Sequence, residues 1–210
     1  MSKLWVVIPA AGESRRFKEA GYKTPKPLLH LRNNHGNVDT MINFVKDSIP
    51  MGLDVIDVLR LEKTIGQADT VYQTVKNLPF IDSVLILDCD IILRIGDIEH
   101  IIEMLNSFDV VMAVTETFDP NASRVNQIPF PTRFVEKETI SQYGIISARA
   151  FRSCGVLTAA LKRLLDECET EPYLSTAMNY YPGTKFAHLI TEYVDLGTPQ
   201  RIKEAGWEIC

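Results

Sequence analysis

The sequence alternates between short, continuously apolar runs and segments in which apolar residues recur every three or four positions. Residues 4–8 form a continuous apolar run rich in β-branched side chains, which is typical of a strand buried on both faces of a sheet. Residues 83–87 have the same character, and residues 54–61 and 110–115 also favour extended structure. We therefore predict four strands in the first half of the chain.

Segments with helical periodicity lie between these predicted strands. Asp39 and Thr40 can cap a helix that runs to about residue 49, residues 68–78 predict a second helix, and Asp97 can cap a third. The apolar stripes of the three helices consist of Ile42, Val45 and Ile49; Val71 and Val75; and Ile98, Ile101, Ile102 and Leu105.

The alternation of strands and helices predicts the fold class. It indicates an α/β protein with a doubly wound, mostly parallel mixed sheet of the Rossmann-like type, in which ligands bind at the carboxyl ends of the strands. The second half mixes short strands with helices, and Thr198-Pro199 suits the start of a last helix. Its predicted elements are strands at 133–136, 143–147 and 187–190 and helices at 157–168 and 173–181. We expect one domain over residues 1–210.

A loop of small residues follows the first predicted strand, and basic residues follow the loop. The loop begins Ala10-Ala11-Gly12 and reaches Arg16, and Lys26 stands further on between two prolines. Small residues let the backbone approach a ligand and turn its N–H groups toward an anion. Arginine offers a planar fork and lysine a mobile point charge for phosphate oxygens. The combination indicates a site for a nucleoside triphosphate.

Taken with later motifs, this loop resembles the signature of the sugar nucleotidyltransferases, also called nucleoside-diphosphate-sugar pyrophosphorylases. The resemblance recurs in family order along nearly the whole chain. The matching segments are Pro9-Ala10-Ala11-Gly12 to Arg16 with Pro25-Lys26-Pro27-Leu28, Gly66-Gln67-Ala68, Leu87-Asp88-Cys89-Asp90, Val135-Glu136-Lys137 with Tyr143-Gly144, and Asp195-Leu196-Gly197-Thr198-Pro199.

The resemblance implies a role for each matched residue. Arg16 and Lys26 would be catalytic and would hold the phosphates, and Asp90 and Asp195 would hold Mg²⁺, a hard cation that prefers carboxylate and phosphate oxygens. The residues implied in nucleotide binding are Ala10, Ala11, Gly12, Gly66 and Gln67, and those implied in acceptor binding are Glu136, Lys137 and Gly144.

The chain departs from the family between residue 49 and Gly66. Relatives fit a strand, a helix and a second strand there, whereas this chain has room for one strand, so the fold is expected to be shortened by about one βα unit. That region flanks the nucleotide pocket in the family, and its loss puts base selectivity in doubt. A homodimer in which a partner subunit covers this flank is one hypothesis.

Composition and charge narrow the class of protein. A chain of 210 residues that is 46% hydrophobic can build a sizeable core, and a net charge of −5 argues against a nucleic-acid binder. The 4 cysteines have no metal-ligand spacing, which favours reduced thiols in the cytoplasm. The first strand begins at once and no apolar run is long enough to span a bilayer, so we expect neither a signal peptide nor a membrane partner.

The sequence thus predicts an Mg²⁺-dependent enzyme that transfers a nucleoside monophosphate from a triphosphate to a phosphorylated small-molecule acceptor, forming a nucleoside-diphosphate sugar of the kind used in polysaccharide biosynthesis. A sugar 1-phosphate is the favoured acceptor, and a choline or polyol phosphate is an alternative. Two other classes stay open. A GT-A glycosyltransferase would use Asp88-Cys89-Asp90 as its Asp-x-Asp motif, but it never handles a triphosphate and does not need Arg16 and Lys26. A nucleotide-sensing module without turnover would not need both cations and both metal-holding carboxylates.

Overall fold

A computed structural model describes residues 2–59 and 64–210 of the chain. The strands are β1 (Leu4–Pro9), β2 (His30–Arg32), β3 (Val38–Thr40), β4 (Asp54–Val58), β5 (Ser83–Ile86), β6 (Ile91–Leu93), β7 (Val110–Glu116), β8 (Ser123–Val125), β9 (Phe134–Glu136), β10 (Tyr143–Phe151), β11 (Lys185–Leu189), β12 (Tyr193–Asp195) and β13 (Glu208–Ile209). The helices are α1 (Arg15–Glu19), α2 (Met41–Lys46), α3 (Gln67–Val75), α4 (Ile95–Met104), α5 (Cys154–Glu167), α6 (Leu174–Ala177) and α7 (Pro199–Glu204), with a 3-10 turn at Lys26–Leu28.

The main sheet has the strand order β11-β7-β10-β5-β1-β4, and β8 and β9 extend it beside β10. β1 pairs in parallel with β4 and β5, and β11 pairs in parallel with β7. β10 is antiparallel to both of its neighbours, β5 and β7. The other strands along this path therefore run in one direction, which confirms the predicted mostly parallel mixed sheet.

Helices cover both faces of the sheet, as a doubly wound fold requires. Alternate residues of each strand point to opposite faces, so Val7 packs with α3 and α5 while its neighbours Val6 and Ile8 pack with α2 and α4. The two apolar cores are separated by the sheet itself. This arrangement leaves the carboxyl ends of β1 and β5 facing the same cleft.

Two small sheets attach to this framework. β12 pairs with β6, and β2 pairs with β3 and β13. The three-stranded sheet packs with α2 and α7 around a third apolar cluster that includes Phe17, Met41 and Trp207. The hydrophobic pattern of the sequence does not predict these short strands. The β6–β12 pair matters for the site because it fixes the distance between Asp90 and Asp195.

Several predicted helix boundaries need correction. Asp97 does not cap α4; Arg94 is the N-cap residue, and Asp97 lies in the first turn where it accepts a hydrogen bond from Arg94 Nε at 2.9 Å. Residues 173–181 contain only the short helix α6. The predicted cap residues Thr40 and Thr198 do cap α2 and α7 through their hydroxyl groups.

The prediction of one strand over residues 54–61 is met by β4 in its first part, and residues 60 and 61 lie outside the described residues. Between α2 and α3, β4 is the one strand among the described residues, in agreement with the predicted shortening by a βα unit. Within residues 2–59 and 64–210, no helix combines the length and apolar character that a bilayer crossing requires.

Candidate active site

A cavity of about 1140 Å³ opens where β1 and β5 end. The loop after β1 lines it together with residues that follow β5, the start of α3 and the segment after α5. The sequence-predicted residues that it brings together are Ala10, Ala11, Gly12, Arg16, Lys26, Gly66, Gln67 and Asp90. Most of the predicted phosphate and nucleotide contacts therefore share one cleft.

The loop after β1 is tied to its surroundings at both ends. Ala10 N donates to Val58 O of β4 at 3.1 Å, and Ser14 Oγ accepts a hydrogen bond from Lys26 N at 2.9 Å. Apart from Gly12 and its two chain neighbours, no described atom lies within 4 Å of the position that a Cβ on Gly12 would take, and Gly12 lines the cavity. The loop is thus held close to Lys26 and leaves room for a ligand at Gly12.

Lys26 forms the central ion pair of the cavity. Its Nζ donates to Asp90 Oδ2 at 2.6 Å, and both side chains are largely buried, with 20% and 18% exposed. Burial alone would lower the pKa of Lys26, and it is the largest single effect. The charge of Asp90, its hydrogen bond to Lys26 and the neighbouring Asp88 and Cys89 together outweigh burial and raise the pKa above its usual value. Lys26 therefore stays cationic over the whole physiological range.

Asp195 faces Asp90 across the β6–β12 pair. Leu196 N donates to Asp90 O at 2.7 Å, which fixes the two chain segments next to each other. A Cβ added at Gly197 would lie 3.0 Å from Asp195 Oδ1 and 3.1 Å from Asp90 Oδ2. The two carboxylates thus border one small space, which a side chain at residue 197 would crowd.

Arg201 and Gly197 hold the Asp195 carboxylate in place. Arg201 NH1 donates to Asp195 Oδ2 at 2.6 Å, and Gly197 N donates to Asp195 Oδ1 at 2.8 Å. Burial raises the pKa of Asp195 above its ordinary value despite these contacts. A cation placed between Asp195 and Asp90 would offset this cost of burying negative charge.

The donor set suits Mg²⁺ better than a transition metal. Among residues 2–59 and 64–210, no group of three or more His, Cys, Asp or Glu side chains is arranged to hold an ion. Mg²⁺ is commonly held by one or two carboxylates and completes its shell with phosphate oxygens and water. Asp90 and Asp195 fit that requirement when a phosphorylated ligand is bound.

Gln67 stands at the start of α3 with its amide next to Asp88. Gln67 Nε2 donates to Asp88 Oδ1 at 2.7 Å. A Cβ at Gly66 would lie 2.9 Å from Pro172 O, so the glycine lets the segment after α5 approach the start of α3. Residues 168–171 of that segment line the cavity, and they supply a wall from within the chain near the region that lacks the βα unit.

Arg149 is a component of the site that the sequence analysis did not single out. It lies in β10, is 5% exposed, and its NH1 donates to Asp88 Oδ1 at 3.1 Å. An arginine inside an otherwise apolar strand was the available signal, because a buried charge requires a partner.

The predicted acceptor residues Glu136 and Lys137 line a second cavity, of about 370 Å³, rather than the first. The two cavities share the wall formed by Cys168, Thr170 and Glu171. Glu136 accepts hydrogen bonds from the hydroxyl groups of Ser123 and Ser175. Lys137 Nζ donates to the hydroxyl oxygen of Tyr173 at 2.6 Å.

Gly144 borders neither cavity. A Cβ at this position would lie 2.5 Å from Thr117 Cγ2, so packing against the neighbouring strand already requires a glycine here. The structure therefore supplies a reason for Gly144 that does not involve an acceptor.

Solved structures with the same architecture include several enzymes of nucleotide-sugar chemistry. A nucleoside-diphosphate-sugar pyrophosphorylase from Vibrio cholerae RC9 superposes with a TM-score of 0.75 at 19% identity, covering 95% of this chain and 98% of that one. A UTP-bound UGPase from Acinetobacter baumannii gives 0.73 at 17% identity, over 98% and 92% of the two chains. A UDP-glucose pyrophosphorylase complexed with UDP-glucose gives 0.76 at 11% identity, over 98% and 97%.

The chain shares the fold of these pyrophosphorylases. The resemblance inferred from the motifs is thereby confirmed at the level of fold, over nearly the whole length of the chain. No protein-family model matches the sequence, and no curated protein matches it.

Proposed function

We propose that this protein is an Mg²⁺-dependent nucleotidyltransferase that uses a nucleoside triphosphate and a phosphorylated acceptor and releases pyrophosphate. One observation carries the proposal: a single cavity combines a small-residue loop, Arg16 and a buried Lys26–Asp90 pair, with Asp195 next to Asp90. Two cations and two carboxylates suit a triphosphate with its metal ion. The fold shared with pyrophosphorylases supports the same reading.

In this reaction an oxygen of the acceptor phosphate forms a bond to the α-phosphorus of the triphosphate. The bond from that phosphorus to the bridging oxygen breaks, and pyrophosphate leaves with the electron pair. Both reactants are anions, so alignment and charge neutralisation supply most of the catalysis. The acceptor phosphate is already ionised, and no general base is required.

The residues of the cavity, together with Asp195 next to Asp90, divide this work. Lys26 contacts the α-phosphate and the incoming acceptor phosphate, and Arg16 holds the phosphates that depart. Asp90 and Asp195 would hold Mg²⁺, and the bound metal would supply polarisation of the α-phosphate. Ala10, Ala11, Gly12, Gly66 and Gln67 contact the nucleotide.

We propose that a sugar 1-phosphate is the acceptor and that Glu136 and Lys137 contact it from the second cavity. The product would then be a nucleoside-diphosphate sugar, made in the cytoplasm for polysaccharide biosynthesis. The position of Asp88 argues against the glycosyltransferase reading. Asp88 Oδ1 accepts hydrogen bonds from Gln67 and Arg149, so this oxygen is engaged within the protein rather than offered to a metal ion as in an Asp-x-Asp motif.

The test is pyrophosphate release by the full chain, with Mg²⁺ and with EDTA. The four ribonucleoside triphosphates and thymidine triphosphate are each combined with a panel of sugar 1-phosphates and with choline and polyol phosphates. We expect release that requires one triphosphate, one acceptor and the metal. Absence of release from every pair, together with binding of a nucleoside-diphosphate sugar, would favour a glycosyltransferase or a sensing module instead.

A further inference from the structure

The side-chain amide of Gln67 has a fixed orientation. Its Nε2 lies 2.7 Å from Asp88 Oδ1, and a carboxylate oxygen accepts hydrogen bonds but does not donate them. The contact therefore assigns the amide NH₂ group to the side of Asp88. The amide oxygen is thereby turned away from Asp88, and because Gln67 lines the cavity we infer that this oxygen is the group that meets a bound base. A glutamine without such a partner could rotate and offer a base either a donor or an acceptor.

Asp88 is itself held by two groups from β10. Arg149 NH1 donates to Asp88 Oδ1 at 3.1 Å, and Asp88 N donates to Ser147 Oγ at 3.1 Å. Arg149 NH1 also donates to Ser147 O at 2.7 Å. Arg149 thus holds the side chain of Asp88 and Ser147 holds its backbone, while the same side chain orients Gln67.

Packing alone does not account for an arginine at residue 149. The side chain is almost fully buried, and its Nε has no hydrogen-bond partner among the described residues. Burying a guanidinium group with an unpaired N–H costs free energy that an aliphatic side chain of similar size would avoid. What the arginine contributes is its bond to Asp88.

The backbone of β10 is shaped to present this arginine. Ile145 pairs with Val114 of β7 and Arg149 pairs with Met112, so β10 uses more residues than β7 between the two pairs. Ser147 lies in this bulge with φ of 46°, a left-handed conformation that is rare for a residue other than glycine. Bulges of this kind change the direction of side chains next to functional sites.

We propose that Arg149 and Asp88 are positioning residues that fix Gln67 as a hydrogen-bond acceptor toward the base, and that they thereby set the selectivity among triphosphates. The inference rests on the proposed function, because it assumes that the base lies against Gln67. A base that presents a donor at this position is bound, and a base that presents an acceptor there is rejected. Arg149 is buried in β10 and Asp88 is engaged by Gln67 and Arg149, so we assign neither residue a contact with the reacting phosphates.

The experiment measures binding of the full chain to each of the five triphosphates with Mg²⁺ and without an acceptor, by calorimetry. The readout is the ratio of dissociation constants between the second-best and the best triphosphate. Asp88→Asn keeps the shape but lets the Gln67 amide rotate, and Arg149→Lys keeps the charge but loses the planar fork. We expect the ratio to fall about tenfold in Asp88→Asn, the effect of one hydrogen bond, and to fall also in Arg149→Lys.

Arg124→Lys is the matched control. Arg124 is equally buried, 1% exposed, but donates to the backbone carbonyl oxygens of Thr117, Asp119 and Ser141 away from Asp88. This variant should lose thermal stability and keep the ratio of the wild-type protein. A second control is Gln67→Leu, in which adding Asp88→Asn should change the ratio no further, because the group that reads the base is already gone.

An unchanged ratio in Asp88→Asn, with all triphosphates still bound, would overturn the inference and leave the proposed function standing. An equal loss of affinity for every triphosphate would also overturn it, because it would indicate a structural role. Failure of the wild-type chain to bind any triphosphate would overturn the proposed function and this inference together.

Discussion

Lys26 is the residue whose charge the proposed reaction needs most. Its Nζ is held 2.6 Å from Asp90 and lies in the cleft beside the loop after β1. We expect Lys26→Ala to lower the rate of pyrophosphate release by about 10²–10³, the usual effect of removing one preorganised charged contact. Lys23→Ala, which removes an exposed lysine from the same segment, is the control and should keep full activity. Near-normal activity in Lys26→Ala would contradict the assignment.

Asp195 combines a functional requirement with a cost to stability. Because burial raises its pKa, the fold disfavours the charged form of this carboxyl group. Asp195→Asn should keep a Tm at neutral pH, without Mg²⁺, that is no lower than that of the wild type, because the buried charge is gone. It should lose about 10²–10³ in turnover, because a proposed metal-holding carboxylate is gone. Turnover assays and thermal unfolding check the two parts. Glu192→Gln removes an exposed carboxylate near the same strand and should change neither quantity.

Single residues of the site differ in how far the sequence reveals them. The sequence predicts Gly12, Arg16 and Lys26 because all three lie in one continuous segment after a strand, and that segment alone indicates their role. Arg149 is not, because its role depends on a bulge in β10 and on the position of Asp88, which follows the end of β5 and is distant in sequence. The sequence motif marks Gly144 as a candidate site residue, but only the contact with Thr117 shows that packing requires a glycine there.

At the scale of elements, the β7–β10 pairing makes a specific demand on Gly144. Gly144 lies opposite Thr115, and an added Cβ would lie 2.5 Å from Thr117 Cγ2. We expect Gly144→Ala to lower the free energy of unfolding by about 1–3 kcal/mol, as overpacking commonly does. Thr117→Ser deletes that methyl group and keeps the hydroxyl that accepts a hydrogen bond from Asp119 N. Denaturant unfolding of the double variant should show recovered stability; absence of any recovery would contradict the packing explanation.

The junction between β1 and β5 predicts a pH dependence. Asp82 accepts hydrogen bonds from Lys3 N at 3.0 Å and Trp5 Nε1 at 2.9 Å, and these bonds lower its pKa. A lowered pKa stabilises the fold above the ordinary pKa of an aspartate, and the benefit disappears as the pH falls through the pKa in the folded state. Asp82→Asn should thus lower Tm at neutral pH, and the difference from the wild type should shrink in acid. A difference that is constant with pH would contradict this account.

Among the strands, some are predictable from the sequence and others are not. Long apolar runs such as β1 and β7 are recognisable as strands in the sequence, because burial on both faces requires many consecutive apolar residues. Short strands such as β2 and β3 have mixed composition, and only pairing with distant segments makes them strands. The antiparallel course of β10 is likewise set by its two neighbours rather than by its own sequence.

At the scale of the whole molecule, the candidate cleft joins segments that are far apart in the chain. Residues after β1, the start of α3, the end of β5 and the segment after α5 all border one space. Few of these contacts survive when the chain unfolds. A ligand that needs all of these contacts binds the folded state alone. Its binding must therefore raise the free energy of unfolding of the whole chain.

This coupling gives a prediction for the intact chain. At a triphosphate concentration of one hundred times Kd, with Mg²⁺, the free energy of unfolding should rise by about 2.7 kcal/mol, or about 5–10 °C in Tm for a chain of this size. Thermal unfolding with each triphosphate measures the shift. Lys26→Ala should show a much smaller shift at the same concentration, because the cation that faces the phosphates is gone, whereas Lys23→Ala should match the wild type. An equal shift in all three proteins would place the triphosphate somewhere other than the cleft around Lys26.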